Sequence, residues 1–176
     1  EQRPEKRRSD EALRSSEELF RVVTKATNDG VWDWGLSTGR VWINETVARM
    51  FQFKELPQYI DPEWWFEHIH PQDSERVRSE VQSALDKGVY LWSSEYRMRR
   101  EDDTFAHVND RAYIMRAEDG TPRRMIGALQ DVTERKQSEE EIRRLNRQNE
   151  LVLNAAGNSI CAVDSEGLQI LANPRS

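Results

Sequence analysis

The stretch GALQDVTERK (residues 127–136) decides the fold, because an apolar strand turns directly into a strongly charged helix. Asp131 stands where it can cap that helix, and Glu134 follows three residues later, which is the spacing of a capping box. A strand that feeds straight into a helix leaving the domain is typical of an output connection. The stretch therefore predicts a module that passes a conformational state along the chain.

The composition of the 176-residue chain excludes several kinds of protein. Charged residues make up 33% and the net charge is -6, which argues against nucleic acid as a partner. No apolar run approaches the roughly 18 residues of a membrane-spanning helix, and the polar N-terminus without a starting Met indicates an excised segment. The one cysteine, Cys161, excludes a disulfide framework and a Cys-rich zinc site. We therefore expect a cytoplasmic segment without membrane contact.

Upstream of the quoted stretch, hydrophobic periodicity and turn residues predict an antiparallel α+β domain with helices on one face of its sheet. Two short strands come first, then helices, then three long strands. Pro71 opens the longest helix of this part, and Gly88 ends it. The predicted elements are a helix over 9–26, strands over 31–34 and 40–43, helices over 45–51 and 71–87, and strands over 89–100, 104–116 and 123–130.

Downstream, the charged stretch continues as a predicted helix over 134–156, about 35 Å long at 1.5 Å per residue. An apolar seam with one polar position follows it at 3-4 spacing, formed by Ile142, Leu145, Asn149 and Val152. Such a seam supports a parallel dimer of modest stability, in which Asn149 helps to fix the register. We therefore expect a homodimer through the flanking helices.

The C-terminal tail repeats the beginning of the chain at a shift of 129 residues, so that Ala26 falls on Ala155 and Asn44 on Asn173. Both copies run through helix, polar break, apolar strand, glycine turn, apolar strand and Asn. We interpret residues 157–176 as the truncated start of a second domain of the same kind. A lone hairpin cannot bury a core, so we expect this tail to be disordered or borrowed by a neighbouring sheet.

Six fragments together resemble a PAS domain with its PAC segment, and they are most similar to the Trp-rich subfamily of bacterial sensory-box proteins. The fragments are DGVWDW (29–34), TGRVWIN (38–44), WWFEHIHPQD (64–73), EYRMRREDD (95–103), EDGTPRRMIGALQDVTERK (118–136) and NELVLNAAGNSI (149–160). The resemblance covers residues 16–136 and adds the start of a second PAS domain at the C-terminus. It implies a five-stranded antiparallel sheet with helices on one face, flanked by N- and C-terminal signalling helices and enclosing a small pocket.

The resemblance divides the chain into four parts. These are an upstream linker helix (1–15), a PAS/PAC sensor domain (16–133), a coiled-coil-like helical linker (134–156) and a truncated second PAS domain (157–176). Domains of this kind usually stand upstream of a histidine kinase or a diguanylate cyclase, so this segment itself is not expected to be an enzyme. One departure is Asp102-Asp103, where the family has Asp-Gly; the turn should survive with modest strain or a longer loop.

The interior of the domain holds the candidate ligand pocket. Two interpretations stay open, a filled hydrophobic core or an apolar pocket for a small-molecule ligand with a few polar groups such as Asn44. The bulky Trp side chains leave little room for a large cofactor. The candidate residues are Trp32, Trp34, Val41, Ile43, Asn44, Met50, Trp65, Val77, Val81, Trp92, Tyr96, Met98 and Leu129.

No cofactor is expected, although flavin and haem stay open as alternatives. Residues 1–136 contain no cysteine, and Leu129 stands where light-sensing relatives carry a flavin-contacting Gln, which excludes covalent photochemistry but not non-covalent flavin. Haem needs an axial His facing the pocket, whereas His68 and His70 lie just before the long helix, which His70 is expected to cap. These two with Asp73 show no evident metal geometry, so no metal is expected.

Two further sets of residues are assigned to signal coupling and to dimerisation. We expect Arg97, on a central strand, to form an ion pair with Asp131 that orients the exit helix; such an exposed pair contributes only about 0–1 kcal/mol to stability. The coupling candidates are Glu95, Arg97, Asp131 and Thr133. The interface candidates are Leu13, Leu19, Phe20, Trp42, Ile142, Leu145, Asn149 and Val152.

These features favour a cytoplasmic PAS sensor and dimerisation module of a bacterial signalling protein, whose output helix starts at Asp131. The expected partners are a second copy of the chain, the neighbouring PAS and output domains and a possible small-molecule ligand, but not nucleic acid. An alternative is a ligand-free interaction and spacer module between tandem PAS domains. A flavin- or haem-bearing redox or gas sensor is a third possibility.

Overall fold

The computed structural model describes residues 18, 22, 24, 26–155, 161–163 and 169–172. The chain divides into two compact units, Glu1–Thr133 and Glu134–Ser176. Of the helices in the described ranges, none is long and apolar enough to cross a membrane. The interface candidates Leu13, Leu19 and Phe20 lie outside the described residues.

The first unit is built on one antiparallel sheet with the strand order β3-β2-β1-β6-β5-β4. The predicted antiparallel α+β architecture is confirmed. The sheet has six strands rather than five, because a two-residue strand pairs with the outer edge of β2 through Val41 and Ile60. The strands are β1 (Gly30–Gly35), β2 (Arg40–Ile43), β3 (Tyr59–Ile60), β4 (Leu91–Arg99), β5 (Phe105–Arg116) and β6 (Pro122–Asp131).

Three helices in this unit are each started by a polar side chain that accepts a backbone N–H of the first turn. They are α1 (Glu45–Met50), α2 (Pro62–His68) and α3 (Pro71–Asp86). Their N-caps are Asn44, Asp61 and His70, so His70 caps the long helix as predicted. Sequence patterning missed α2, because its apolar residues are consecutive aromatics rather than a stripe of helical period.

The core lies between the helices and one face of the sheet. Along β4 and β5, buried and exposed residues alternate, as expected for strands with one covered face. Phe51 and Val47 of the α1 region and Val77 of α3 are buried against this face. The hydrophobic side chains of helices and sheet therefore form one cluster.

Gly127 lies on the inner face of β6, directly opposite Trp32 of β1. A Cβ atom at position 127 would overlap the Trp32 indole and would stand 2.7 Å from its Nε1 atom. Glycine is the one residue without a Cβ, so it allows the indole to lie across the β6 backbone. This close approach places the Trp32 ring in the centre of the domain.

The outer edge of β4 is covered by the beginning of α3. The backbone N–H of Arg97 donates to Asp73 Oδ2 at 3.0 Å, and the Arg97 carbonyl accepts from the N–H of His70 at 2.8 Å. The Arg76 guanidinium donates to the Glu95 carbonyl at 2.7 Å. These contacts occupy backbone groups that an edge strand otherwise offers to another chain.

The hairpin between β4 and β5 contains the Asp102-Asp103 departure noted in the sequence. Asp103 takes a φ of 63°, the left-handed conformation that Gly would adopt there more readily. Asp102 Oδ1 accepts the Thr104 N–H at 3.0 Å and closes the loop. The turn survives, as predicted, at the cost of a non-glycine residue at positive φ.

The exit helix, α4 (Thr133–Ala155), begins at the last residue of the first unit and otherwise belongs to the second; its ends differ by one residue from the predicted 134–156. The second unit also contains β7 (Cys161–Val163) and β8 (Gln169–Ala172), which pair antiparallel with Cys161 opposite Ala172. The expectation that the tail is disordered or borrowed by another sheet is wrong for these residues, because the two strands satisfy each other's backbone groups as a hairpin.

We predict that Gly127→Ala lowers the free energy of unfolding by about 2–3 kcal/mol, because the new Cβ overlaps a buried indole that cannot move freely. Urea unfolding monitored by tryptophan fluorescence measures this change. The same substitution should cost at least about 1 kcal/mol less in a Trp32→Leu background, where the ring is gone. If Gly127→Ala lowers the free energy of unfolding equally in both backgrounds, the Trp32 indole is not the group that requires a glycine at position 127.

Candidate functional site

A small cavity of about 40 Å³ lies between the inner sheet face and the helices α2 and α3. Its lining is mostly aromatic and aliphatic. The lining residues are Trp32, Trp34, Val41, Pro62, Trp65, Phe66, Val77, Val81, Trp92, Tyr96, Asp110 and Met125. Eight of the thirteen candidates from the sequence therefore line the cavity, namely Trp32, Trp34, Val41, Trp65, Val77, Val81, Trp92 and Tyr96.

The other five pocket candidates are placed elsewhere. Ile43, Met98 and Leu129 are buried in the core but do not line the cavity, and Met50 packs against that core. Asn44 has a structural role, because its Oδ1 accepts the N–H of Val31 at 3.1 Å and caps α1. A position that alternates toward the inner face of a strand is thus predicted to be buried. The alternation does not show whether its side chain lines the cavity or packs in the hydrophobic core.

A buried carboxyl group stands in the cavity wall, on β5. Asp110 is 1% exposed; its Oδ1 accepts from Trp32 Nε1 at 2.9 Å, and its Oδ2 accepts from the Tyr96 hydroxyl at 2.7 Å. The Tyr96 oxygen in turn accepts from Trp65 Nε1 at 3.1 Å. We call Trp32, Trp65, Tyr96 and Asp110 the interior network; it links β1, β4, β5 and α2.

Burial dominates the electrostatics of the interior network. It raises the pKa of Asp110 to about 7, even though the hydrogen bonds from Tyr96 and Trp32 favour the ionised form. Burial, followed by the charge of Asp110, also raises the pKa of Tyr96 well above its ordinary value. The network therefore holds a proton that can exchange near neutral pH.

Sequence reasoning missed Asp110, although a signal was available. In the strand over residues 104–116, Asp110 is in phase with Ala106, Val108, Ala112 and Ile114, all of which are buried. An acidic residue in the inward phase of a long strand predicts a buried, hydrogen-bonded carboxyl. The pocket candidates chosen from the sequence were almost all aromatic or aliphatic, so this carboxyl was not among them.

The residues present do not fit a flavin or a haem. Pockets for ligands of this size have volumes of roughly 300–1,000 Å³, whereas the cavity here has about 40 Å³ and has Trp32, Trp65 and Trp92 in its wall. His68 stacks on Trp64, and its Nδ1 lies 2.7 Å from the Trp64 carbonyl oxygen, while His70 is used as a helix cap. In the described part of the chain, no cluster of potential metal ligands occurs.

The exit junction consists of Asp131, Val132 and Thr133 with their contacts to Arg100 and His107. Asp131 Oδ1 accepts the N–H of Thr133 at 2.8 Å, and its Oδ2 accepts from Arg100 Nη2 at 2.9 Å. The His107 N–H donates to Thr133 Oγ1, and the His107 carbonyl accepts from the Val132 N–H, both at 2.8 Å. The start of α4 is therefore tied to β5 and to the end of β4.

The predicted ion pair between Arg97 and Asp131 is wrong. β4 is an edge strand, and β5 lies between it and β6, so Arg97 is two strands away from Asp131. Arg97 instead pairs with Asp73 at 2.8 Å, and this hydrogen bond lowers the pKa of Asp73 below its ordinary value. Arg100, just past the end of β4, takes the place next to Asp131.

The remaining interface candidates lie on surfaces. Trp42 is half-buried on β2, in the phase opposite to the buried Val41 and Ile43. On α4, Ile142, Leu145 and Val152 are 57%, 44% and 63% exposed, and Asn149 is exposed as well. Glu95 is on the exposed face of β4 and does not take part in the exit junction through the contacts described above.

We predict that the stability of the domain falls as the pH rises from about 4 to about 7. The pKa of Asp110 is raised in the folded state, so the folded state holds a proton that the unfolded chain has already released in this range. The loss amounts to roughly 4 kcal/mol over the interval. Asp110→Asn should remove this dependence and be more stable than the wild type at pH 8, as measured by urea unfolding at several pH values.

Asp119→Asn is the matched control. The backbone N–H of Thr121 lowers the pKa of Asp119, so its contribution changes at lower pH and the slope between pH 4 and 7 should stay as in the wild type. Parallel stability profiles for the wild type and Asp110→Asn would contradict the assignment of the buried proton to Asp110.

Residues 40–129 match the family described as PAS fold (PAS_3). The chain is 24% identical over 172 residues to the probable diguanylate cyclase DgcE of Escherichia coli, which covers 97% of this chain and 15% of DgcE. It is 36% identical over 88 residues to the methyl sulfide methyltransferase-associated sensor of Methanosarcina acetivorans, covering 50% of this chain and 9% of that protein. The chain thus spans a small part of these relatives.

Among solved structures, a sensory box histidine kinase/response regulator from Burkholderia thailandensis superposes with a TM-score of 0.63 at 28% identity. The superposition covers 73% of this chain and 95% of that one. The family match includes β2 to β6 with the intervening helices, and therefore most of the cavity wall. The chain belongs to the PAS fold family.

Proposed function

We propose that this chain is a cytoplasmic sensor and dimerisation module of a bacterial signal-transduction protein, and that it relays a change in the PAS domain through the helix after Asp131. The parent protein is in the first place a sensor histidine kinase and in the second a diguanylate cyclase. Similarity to a Burkholderia histidine kinase and to DgcE supports both types of parent. The observation that carries the proposal is the exit junction.

The exit junction couples the sheet to the helix through short, directional contacts. Arg100 follows β4, and His107 lies on β5, so a shift of either strand moves a donor that holds Asp131 or Thr133. Both strands also carry the interior network, through Tyr96 and Asp110. A change in the interior can therefore alter the start of α4, provided that the two arrangements are close in free energy.

Dimerisation through α4 completes the relay. The apolar seam on α4 is solvent-exposed in the single chain, and its spacing is that of a two-stranded coiled coil. A second copy of the chain would cover Leu145 and Val152 and place Asn149 opposite its counterpart. A change in the direction of the helix start would then alter the pairing of the two helices.

The tail supports a tandem arrangement of PAS domains. After the shift of 129 residues, the pairing of Cys161 with Ala172 corresponds to that of Trp32 with Ile43 in the first hairpin. We propose that residues 157–176 begin a second PAS domain, which makes α4 a connection between two sensors. The expected partners are this neighbouring domain and the output domain of the parent.

A ligand-free interaction and spacer module is the second candidate function. The specific observation in its favour is the small volume of the cavity, whose walls are packed with aromatic side chains. In that case the stimulus enters elsewhere, and the domain transmits it through the same exit junction. No cofactor is proposed for either function.

We predict that Asp131→Ala and Arg100→Gln each change the basal output of the full-length parent protein about fivefold, because the loss of a helix cap or its partner shifts a two-state equilibrium by about 1 kcal/mol. Autophosphorylation or cyclic di-GMP synthesis is the measurement. Asp119→Ala is the matched control, since Asp119 also accepts an N–H two residues ahead, at 2.9 Å, but in a hairpin away from α4. Output changes no larger than those of the control would contradict the relay.

We predict that the 176-residue chain sediments as a dimer and that Leu145→Glu converts it to a monomer, because a buried unpaired carboxylate is costly in a coiled-coil core. Gln137→Glu adds the same charge to α4 away from the seam and should leave the dimer intact. A monomeric wild type, or a Leu145→Glu variant that stays dimeric, would contradict the proposed interface.

A further inference from the structure

The hydrogen-bond acceptors in the cavity wall already have donors. Each carboxyl oxygen of Asp110 receives a hydrogen bond, one from Trp32 and one from Tyr96. The Tyr96 hydroxyl donates to Asp110 and accepts from Trp65. When Asp110 is ionised, each acceptor of the interior network therefore has a donor within the protein, and the network does not require a ligand.

Two donors in the same wall have no acceptor. The indoles of Trp34 and Trp92 line the cavity, and the Nε1 atom of each is buried without a hydrogen-bond partner among the described residues. Trp92 is only 8% exposed, so bulk water does not satisfy its N–H. Buried N–H groups of this kind are uncommon in native proteins and usually mark a missing acceptor.

We propose that the cavity binds a small neutral molecule whose acceptor oxygen receives a hydrogen bond from the indole of Trp34 or Trp92. This inference rests on the proposed sensor function and specifies the chemical class of the ligand. Ketones, amides and ethers of low mass belong to this class. Ligands that offer only donors do not, because they give the Trp34 and Trp92 indoles no acceptor.

The size of the cavity limits the ligand to a few atoms. A buried water needs roughly 10–15 Å³ of cavity volume, so the 40 Å³ present here holds about three or four waters, or a molecule of roughly three to five non-hydrogen atoms. The remaining wall is apolar, with Val41, Val77, Val81 and Met125 against the ligand body. A compact molecule with one polar end fits both requirements.

The charge of the wall excludes anions. Asp110 is the one carboxyl group among the described lining residues, none of which is Lys, Arg or His, and burial raises its pKa. A carboxylate ligand would bring a second negative charge next to this group in a medium of low polarity, which is strongly unfavourable. A neutral molecule avoids that repulsion.

Nuclear magnetic resonance of the 15N-labelled 176-residue chain tests this inference. Its six tryptophans give six indole N–H signals, which single Trp→Phe variants assign. Titration with acetone should shift the Trp34 or the Trp92 signal to saturation in the millimolar range, with the Trp42 and Trp64 signals unchanged. Acetate, an anion of the same size and shape, should bind at least tenfold more weakly at pH 8.

Variants separate the hydrogen bond from simple filling of space. Trp92→Phe or Trp34→Phe keeps an aromatic ring but removes the donor, so the variant at the binding indole should weaken acetone affinity roughly tenfold, the effect of one lost hydrogen bond. Trp42→Phe, on the other face of the sheet, should leave the affinity unchanged. The spectra themselves show whether each variant is folded.

Three results would overturn the inference: no saturable shift of either indole, equal binding of acetone and acetate, or unchanged affinity in both the Trp34→Phe and Trp92→Phe variants. The first result would leave only water for the cavity. The test is independent of the relay, because it measures binding in the domain itself, whereas the exit-junction variants measure output of the parent protein. Either proposal can therefore fail alone.

Discussion

The indole of Trp32 lies across the backbone of β6 because Gly127 has no side chain, and much of the interior depends on this contact. From that position its N–H reaches Asp110 on β5, which allows a carboxyl group to be buried in an apolar domain. Tyr96 supplies the second donor, and Trp65 joins α2 to the same network. One missing Cβ atom thus permits a set of hydrogen bonds that holds together strands distant in sequence and the helix that covers them.

Two acidic residues of the domain serve different purposes because their surroundings differ. Asp110 is enclosed, so its charge is costly and its proton is retained up to about neutral pH. Asp131 is partly exposed beside Arg100, with side-chain exposures of 28% and 16%, where an ion pair adds little stability. The first carboxyl group holds a proton inside the domain, and the second accepts hydrogen bonds from Arg100 and from the Thr133 N–H at the start of α4. β4 and β5 contribute residues to both sites.

Particular residues show which features of the structure the sequence pattern could predict and which it could not. Alternation along β4 and the Pro71 start of α3 are local signals, and the structure confirms them. Periodicity does not reveal the strand order, so it could not identify the ion-pair partner of Asp131. In the sheet, β5 lies between β4 and β6. The partner is Arg100, just past the end of β4, and not Arg97. Asp110 carried a usable signal, since its phase along β5 is the inward one, but its donors come from β1 and β4.

The sequence by itself determined the class of the fold, the strand-to-helix junction at Asp131 and the exposed apolar seam on α4. These features depend on periodicity, caps and turns, which act between residues close in the chain. Only the tertiary structure decided which residues meet at the exit junction, which side chains line the cavity and which indole N–H groups lack an acceptor. Strand order and the close approach of Trp32 to Gly127 set those contacts, and both join residues separated by most of the domain. No local pattern in the sequence encodes the distance between such residues. Only the packing of the folded chain determines which of them are in contact.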